Sequence, residues 1–175
     1  TPPTPAFVGT KVFEDYPLEK LIDYIDWTPF FITWSLAGKY PAILSDEKVG
    51  GAARDLFKDA QEMLTDIVQK KLITARAVVG FWEGNSVGND IHLSAAAGNK
   101  KIHFLRQQMP KQYDQSQLCL ADFVAPKDTG KPDYLGGFAV TAGIGAEALA
   151  KHYQDENNDY ASLMIKALAD RLAEA

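Results

Sequence analysis

A chain of 175 residues is long enough to bury a core of its own and short enough to make one domain. With 46% apolar and 23% charged residues it has the composition of a soluble globular protein, and its net charge of −5 offers no attraction to nucleic acid or to an anionic membrane. One cysteine excludes an internal disulfide, and no apolar run approaches the ~18 residues of a membrane-spanning helix.

The opening stretch, TPPTPAFVGTKVFEDYP, cannot begin as a helix, because each proline lacks an amide hydrogen and constrains its predecessor. Residues 1–16 are expected to form an extended arm or the end of an interdomain linker, with the domain proper over 17–175. LEKLIDYI then spaces Leu18, Leu21, Ile22 and Ile25 for one face of a short amphipathic turn.

The next stretch, DWTPFFITWSLAGKYP, predicts a helix with Thr28 as N-cap and Pro29 at its first helical position. Trp27, Phe30, Phe31 and Trp34 fall at i, i+3, i+4 and i+7, so one stripe carries all four rings. Asp26 lies just before the helix N-terminus, beside those rings. A carboxylate there either caps backbone amides or meets a cationic ligand, and the sequence pattern alone favours the cap.

The longest helix is predicted to start near SDEKV, where Asp46 and Glu47 suit its positive end, and to run through ARDLFKDAQEMLTDIVQKKL. Leu56, Phe57, Ala60, Met63, Leu64, Ile67 and Val68 make its apolar face, although the Gly50-Gly51 pair weakens its first turns by ~1 kcal/mol per glycine. Strand-like runs follow: RAVVGFW, DIHL, KIHFL, LADFVAP and YLGGFAVTAG. The turns between them (EGNSVGND, AAAGNKK, KDTGKPD) are too short for parallel crossovers and imply an antiparallel sheet. Cys119, inside QLCLADFVAP, is expected to be a buried, inert thiol.

The chain then returns to helix, broken near ENND. MIKALADRLAEA is still in amphipathic stride at residue 175, as a frayed domain end or a boundary cut within a helix would leave it. The fold class read from these elements is α+β, with a twisted antiparallel sheet flanked by helices.

Self-contained catalytic apparatus is not apparent. His92, His103 and His152 have no cysteine or acid at metal-ligand spacing, and HExxH and P-loop patterns are missing. GGFAVTAGIGAEAL does not space its glycines as GxGxxG, and tight packing at a strand-to-helix bend explains them. With no signal-peptide pattern at its start, a reduced, cytoplasmic protein is expected.

A resemblance sharpens this. YIDWTPFFITWSLAGKYPAIL resembles a segment of the C-terminal reactivation domain of cobalamin-dependent methionine synthase. The likeness continues through LFKDAQEML, VVGFW, LRQQ, CLADFVAPKDTGKPDYLGGFAVT and NDYASLMIKALADRLAEA, in order, from about Asp15 to Ala175. It implies an activation-domain-like α+β fold, incomplete here, because the family continues past DRLAEA into an Arg-Pro-x-x-Gly-Tyr-Pro segment that completes its ligand pocket. The implied role is binding S-adenosylmethionine and docking on the cobalamin domain of the same enzyme, so that an oxidised cofactor is reduced and remethylated. Flavodoxin or a related flavoprotein would supply the electron. Cobalamin and zinc would belong to the parent's other modules, and the fragment alone is not expected to turn over.

Carried over by position, the resemblance puts adenosylmethionine-binding acids at Asp26 and Glu174. It puts acids that receive the histidine displaced from cobalt at Asp170 and Glu147. Two readings of other classes stand beside it: a stand-alone docking module without catalytic activity, and a small-molecule enzyme using the His92 and His103 region.

Overall fold

A computed structural model describes residues 2–111 and 115–175. They form two compact units: the N-terminal segment through Val12 with Val78–Ala139, and Phe13–Ala77 with Val140–Ala175. The second unit holds four helices: α1 (Trp27–Thr33), α2 (Gly50–Lys70), α3 (Ala146–Asp155) and α4 (Asp159–Glu174). Five strands, β1 (Gly9–Tyr16), β2 (Thr74–Val87), β3 (Asp90–Leu93), β4 (Lys101–His103) and β5 (Tyr134–Ile144), make one sheet in the order β1-β2-β3-β4, with β5 also on β2. Thus β1 lies within the expected arm over 1–16.

In the helical unit the core is built by period. Ala161, Met164, Ile165, Leu168 and Leu172 repeat at three and four residues along α4 and are all buried. Helix α4 packs on α1, α2 and α3, and Phe30 and Phe31 of α1 are fully buried. The two C-terminal helices are separated by Asn157 in the left-handed region (φ 59°), and the Asn158 side chain accepts the Ala161 N–H at 3.0 Å. An asparagine tolerates that backbone and caps well, so ENND breaks the helix where the sequence predicts.

Helix α2 begins at Gly50, later than SDEKV suggests. Asp46 Oδ1 accepts the N–H groups of Lys48 and Val49 at 2.8 and 2.9 Å, so this acid organises the turn before the helix. Gly50 has a packing reason. A Cβ there would stand 3.0 Å from the Leu44 carbonyl oxygen, which Arg54 also contacts as donor. Gly145, between β5 and α3, is required twice over: its φ is +97°, and a Cβ would meet the Leu72 carbonyl oxygen at 3.0 Å. Bend packing is what Gly145 serves, whereas Gly136 and Gly137 lie within β5, where a Cβ would stand 2.9 Å from the Phe81 ring and 3.4 Å from the Trp82 ring.

In the sheet unit, β2 runs on through EGNSV to Val87 rather than turning there. Val87 opposes Asp90, so the β2–β3 hairpin closes in two residues, Gly88 (φ +64°) and Asn89. Strands β3 and β4 are also antiparallel, with Ile91 opposite Ile102. A small core gathers Ile91, Cys119 and Ala121, and the thiol is buried as expected.

LADFVAP is not a strand. Leu120–Phe123 forms a turn of 3₁₀ helix, because the Asp122 carboxylate accepts the Cys119 N–H at 2.9 Å and closes the turn. Arg106 grips the same carboxylate through two N–H groups at 2.7 and 2.6 Å, and also donates to Asn89 and to the Gln117 carbonyl. The guanidinium, with help from the Cys119 amide, holds the Asp122 carboxyl down at about 2. Among the described residues no helix is long and apolar enough to cross a membrane.

Candidate functional site

The candidate residues lie at the ends of α1 and α4 and on the face between α3 and α4, all in the helical unit. At α1 the N-cap is Asp26, not Thr28. Its backbone is extended, and its Oδ1 accepts the Thr28 N–H at 2.9 Å. Thr28 instead offers its hydroxyl oxygen to the Tyr40 N–H at 3.2 Å. The cap lies two residues earlier because Trp27 belongs to the helix, where its ring meets Phe30 and Phe57 edge-on at 5.2 and 4.8 Å. Asp26 itself is exposed, and among the described residues no protein group takes its second oxygen.

The aromatic stripe resolves into core. Trp27, Phe30 and Phe31 are buried, Trp34 is half-buried against Phe30 and Tyr160, and Tyr24 and Tyr40 keep exposed surface. So Asp26 combines two features: a carboxylate pinned by a backbone amide, and a free oxygen beside a rigid aromatic base. Exposed ion pairs are worth little because solvent competes and side chains must be ordered. Here the capping bond has already ordered the side chain.

At the other end of α4, Asp170 and Glu174 share one cation. Arg171 Nη1 and Nη2 donate to Glu174 Oε2 and Oε1 at 2.8 and 2.9 Å, and Nη2 donates to Asp170 Oδ2 at 2.6 Å. The Arg171 side chain is only 8% exposed, whereas those of Asp170 and Glu174 are 67% and 63% exposed. Burial works against the charged guanidinium, but bonds to both acids outweigh it and raise its pKa further. Sequence reasoning missed Arg171. The signal was present, since Arg171 follows Met164 by seven residues and Leu168 by three and therefore falls on the apolar stripe.

Glu147 and Asp170 do meet on one surface. Both line an open depression of about 350 Å³ with Lys166, floored by Ala142, Ala146 and Ala169. Lys166 Nζ lies 3.6 Å from Glu147, whose side chain is 89% exposed, so this pair is solvated and loose. The three groups offer two carboxylates and one ammonium to whatever enters. Among the described residues no hydrogen bond or ion pair links Asp26 to Arg171, the partner of Glu174.

The histidines lie elsewhere. His92 on β3 faces Lys101 in register, and His103 Nδ1 on β4 sits 2.9 Å from Asp90 Oδ1. Among the described residues no three His, Cys, Asp or Glu side chains gather as a metal site.

Comparison with known proteins gives this geometry a context. Residues 17–175 match the family model for the vitamin B12 dependent methionine synthase activation domain. The chain is similar to a crystal structure of the MetH reactivation domain bound to AdoHcy (S-adenosylhomocysteine), with a TM-score of 0.90 and 49% identity over 99% of this chain. It spans 54% of that chain, about half its length. The mixed fold with its curled antiparallel sheet is that of the reactivation domain, as the sequence resemblance implied.

Proposed function

Because this chain belongs to the vitamin B12 dependent methionine synthase activation-domain family, we propose that it binds S-adenosylmethionine and docks on the cobalamin domain of its parent enzyme during reductive reactivation. The carrying observation is 49% identity, over nearly the whole chain, to a reactivation domain bound to AdoHcy.

The residues present suit that ligand. S-adenosylmethionine carries a sulfonium and an ammonium, and both favour an ionised carboxylate that is already held in place. Asp26 is such a group, with one oxygen fixed by Thr28 and the other free. Glu174 is the second, its plane set by the two N–H groups of Arg171. Asp170 and Glu147 serve docking. Lining one depression, they present acceptors to an imidazole entering from the partner domain, with Lys166 limiting the negative charge there.

Bound cobalamin supplies the cobalt centre that carries the methyl group in the parent reaction. This chain's residues hold the methyl donor and steady the docked arrangement. The parent reaction is methyl transfer from methyltetrahydrofolate to homocysteine in cytoplasmic methionine biosynthesis, with a flavodoxin-class protein as electron donor. Zinc belongs to another part of the parent.

Isothermal titration of the natural full-length protein with S-adenosylhomocysteine tests the reading. Saturable 1:1 binding, weakened together by Asp26→Asn and Glu174→Gln, is expected. Binding that neither substitution changes would overturn the assignment of these acids.

A further inference from the structure

The buried cation on α4 has a role that its two acidic neighbours do not reveal. Arg171 projects from the apolar stripe of its helix, is almost excluded from water, and is the common partner of Asp170 and Glu174. We propose that Arg171 is a positioning residue. It holds the ligand-side carboxylate of Glu174 and the docking-side carboxylate of Asp170 in one ionic cluster, so the orientation of each depends on the other. This rests on the assignment of Glu174 to the adenosyl ligand made above.

An arginine does not deprotonate in a protein, and a guanidinium cut off from water cannot be left without acceptors. It therefore draws both acids in from a surface where they are otherwise solvated. The fork geometry fixes the Glu174 carboxylate in a plane, because Nη1 and Nη2 each take a different oxygen at 2.8 and 2.9 Å. Roughly two of the four lone-pair sites of that carboxylate are then used, and the rest stay open to a ligand cation. Nη2 is shared, since it also donates to Asp170 at 2.6 Å. Strengthening the bond to one acid weakens the hold on the other. Summed formally, two carboxylates and one guanidinium leave a single negative charge, which one monocationic ligand group would balance.

The test measures S-adenosylhomocysteine affinity by calorimetry in the natural full-length protein, in two backgrounds. Lysine keeps the charge of Arg171 but loses the planar fork, so Arg171→Lys is expected to raise Kd about fivefold in the wild type and less than about twofold when Glu174→Gln is also present. A residue that merely supports the helix would give the same loss in both backgrounds, and that result overturns the proposal. Asp170→Asn, a change on an exposed side chain, gives an independent check should Arg171→Lys fail to fold. It is expected to shift Kd about twofold or more in the wild type and to be silent beside Glu174→Gln; no shift in either background also overturns the proposal. If Glu174→Gln alone leaves affinity unchanged, the ligand assignment of Glu174 itself is wrong and the positioning role goes with it. If Glu174→Gln weakens binding but Arg171→Lys does not, only the positioning role fails.

Discussion

Asp26 offers the sharpest separation of structure from function, because its two oxygens have different employment. Oδ1 caps α1 by accepting the Thr28 N–H at 2.9 Å, while among the described residues no protein group takes its second oxygen. Losing a capping carboxylate to alanine costs about 1 kcal/mol, within a range of roughly 0.5–2. For a chain of this length each kcal/mol moves the melting temperature by about 2–4 °C. Asparagine caps as well as aspartate, so Asp26→Asn is expected to keep the melting temperature within about a degree. It removes the charge, however. A charge-assisted hydrogen bond contributes ~1.5–3 kcal/mol, and solvent exposure puts Asp26 at or below the low end, so affinity for S-adenosylhomocysteine is expected to fall about tenfold. Scanning calorimetry and titration calorimetry on wild type, Asp26→Asn and Asp26→Ala give the answer. Asp26→Ala should lose both stability and affinity, Asp26→Asn affinity alone. An Asp26→Asn protein that binds as tightly as wild type would refute the ligand role, and an Asp26→Ala protein that melts with wild type would refute the cap.

Two further outcomes follow from the packing and from the Arg106 node. Phe30 is fully buried, with rings of Trp27, Trp34 and Phe31 at 5.2, 4.9 and 5.6 Å; Phe30→Ala is expected to destabilise the chain by about 3–5 kcal/mol, read from the urea midpoint. The Asp122 carboxyl titrates at about 2 in the folded chain, below its ordinary value. Its stabilising contribution is therefore complete above about pH 4 and disappears as the pH falls through about 2. Urea midpoints measured from pH 5 to pH 2 should fall more steeply for wild type than for Asp122→Asn, and parallel curves would show that the Arg106 pair does not stabilise the fold.

Much of this protein was legible before any coordinate. The i, i+3, i+4 spacing of apolar residues located α1, α2 and α4, since burial on one helical face needs only local periodicity. Short turns gave the antiparallel pairing, because a chain reversal of a few residues admits no other geometry. ENND stopped a helix through asparagine's own backbone tolerance. Those rules failed where a distant side chain intervened. LADF has strand-like composition, yet Asp122 closes a helical turn and Arg106, 16 residues earlier, holds it there.

The site divides along the same line. Asp26, Glu147, Asp170 and Glu174 are proposed as site residues because the sequence resemblance carries them over by position. That Glu147 and Asp170 line one depression required the packing of α3 on α4, and only the folded protein shows Arg171 buried while it donates to Asp170 and Glu174 of its own helix. Periodicity specifies which face of a helix is buried. Only the packed neighbours determine which charge is shut off from water, and Arg171 then takes its counterions from its own helix.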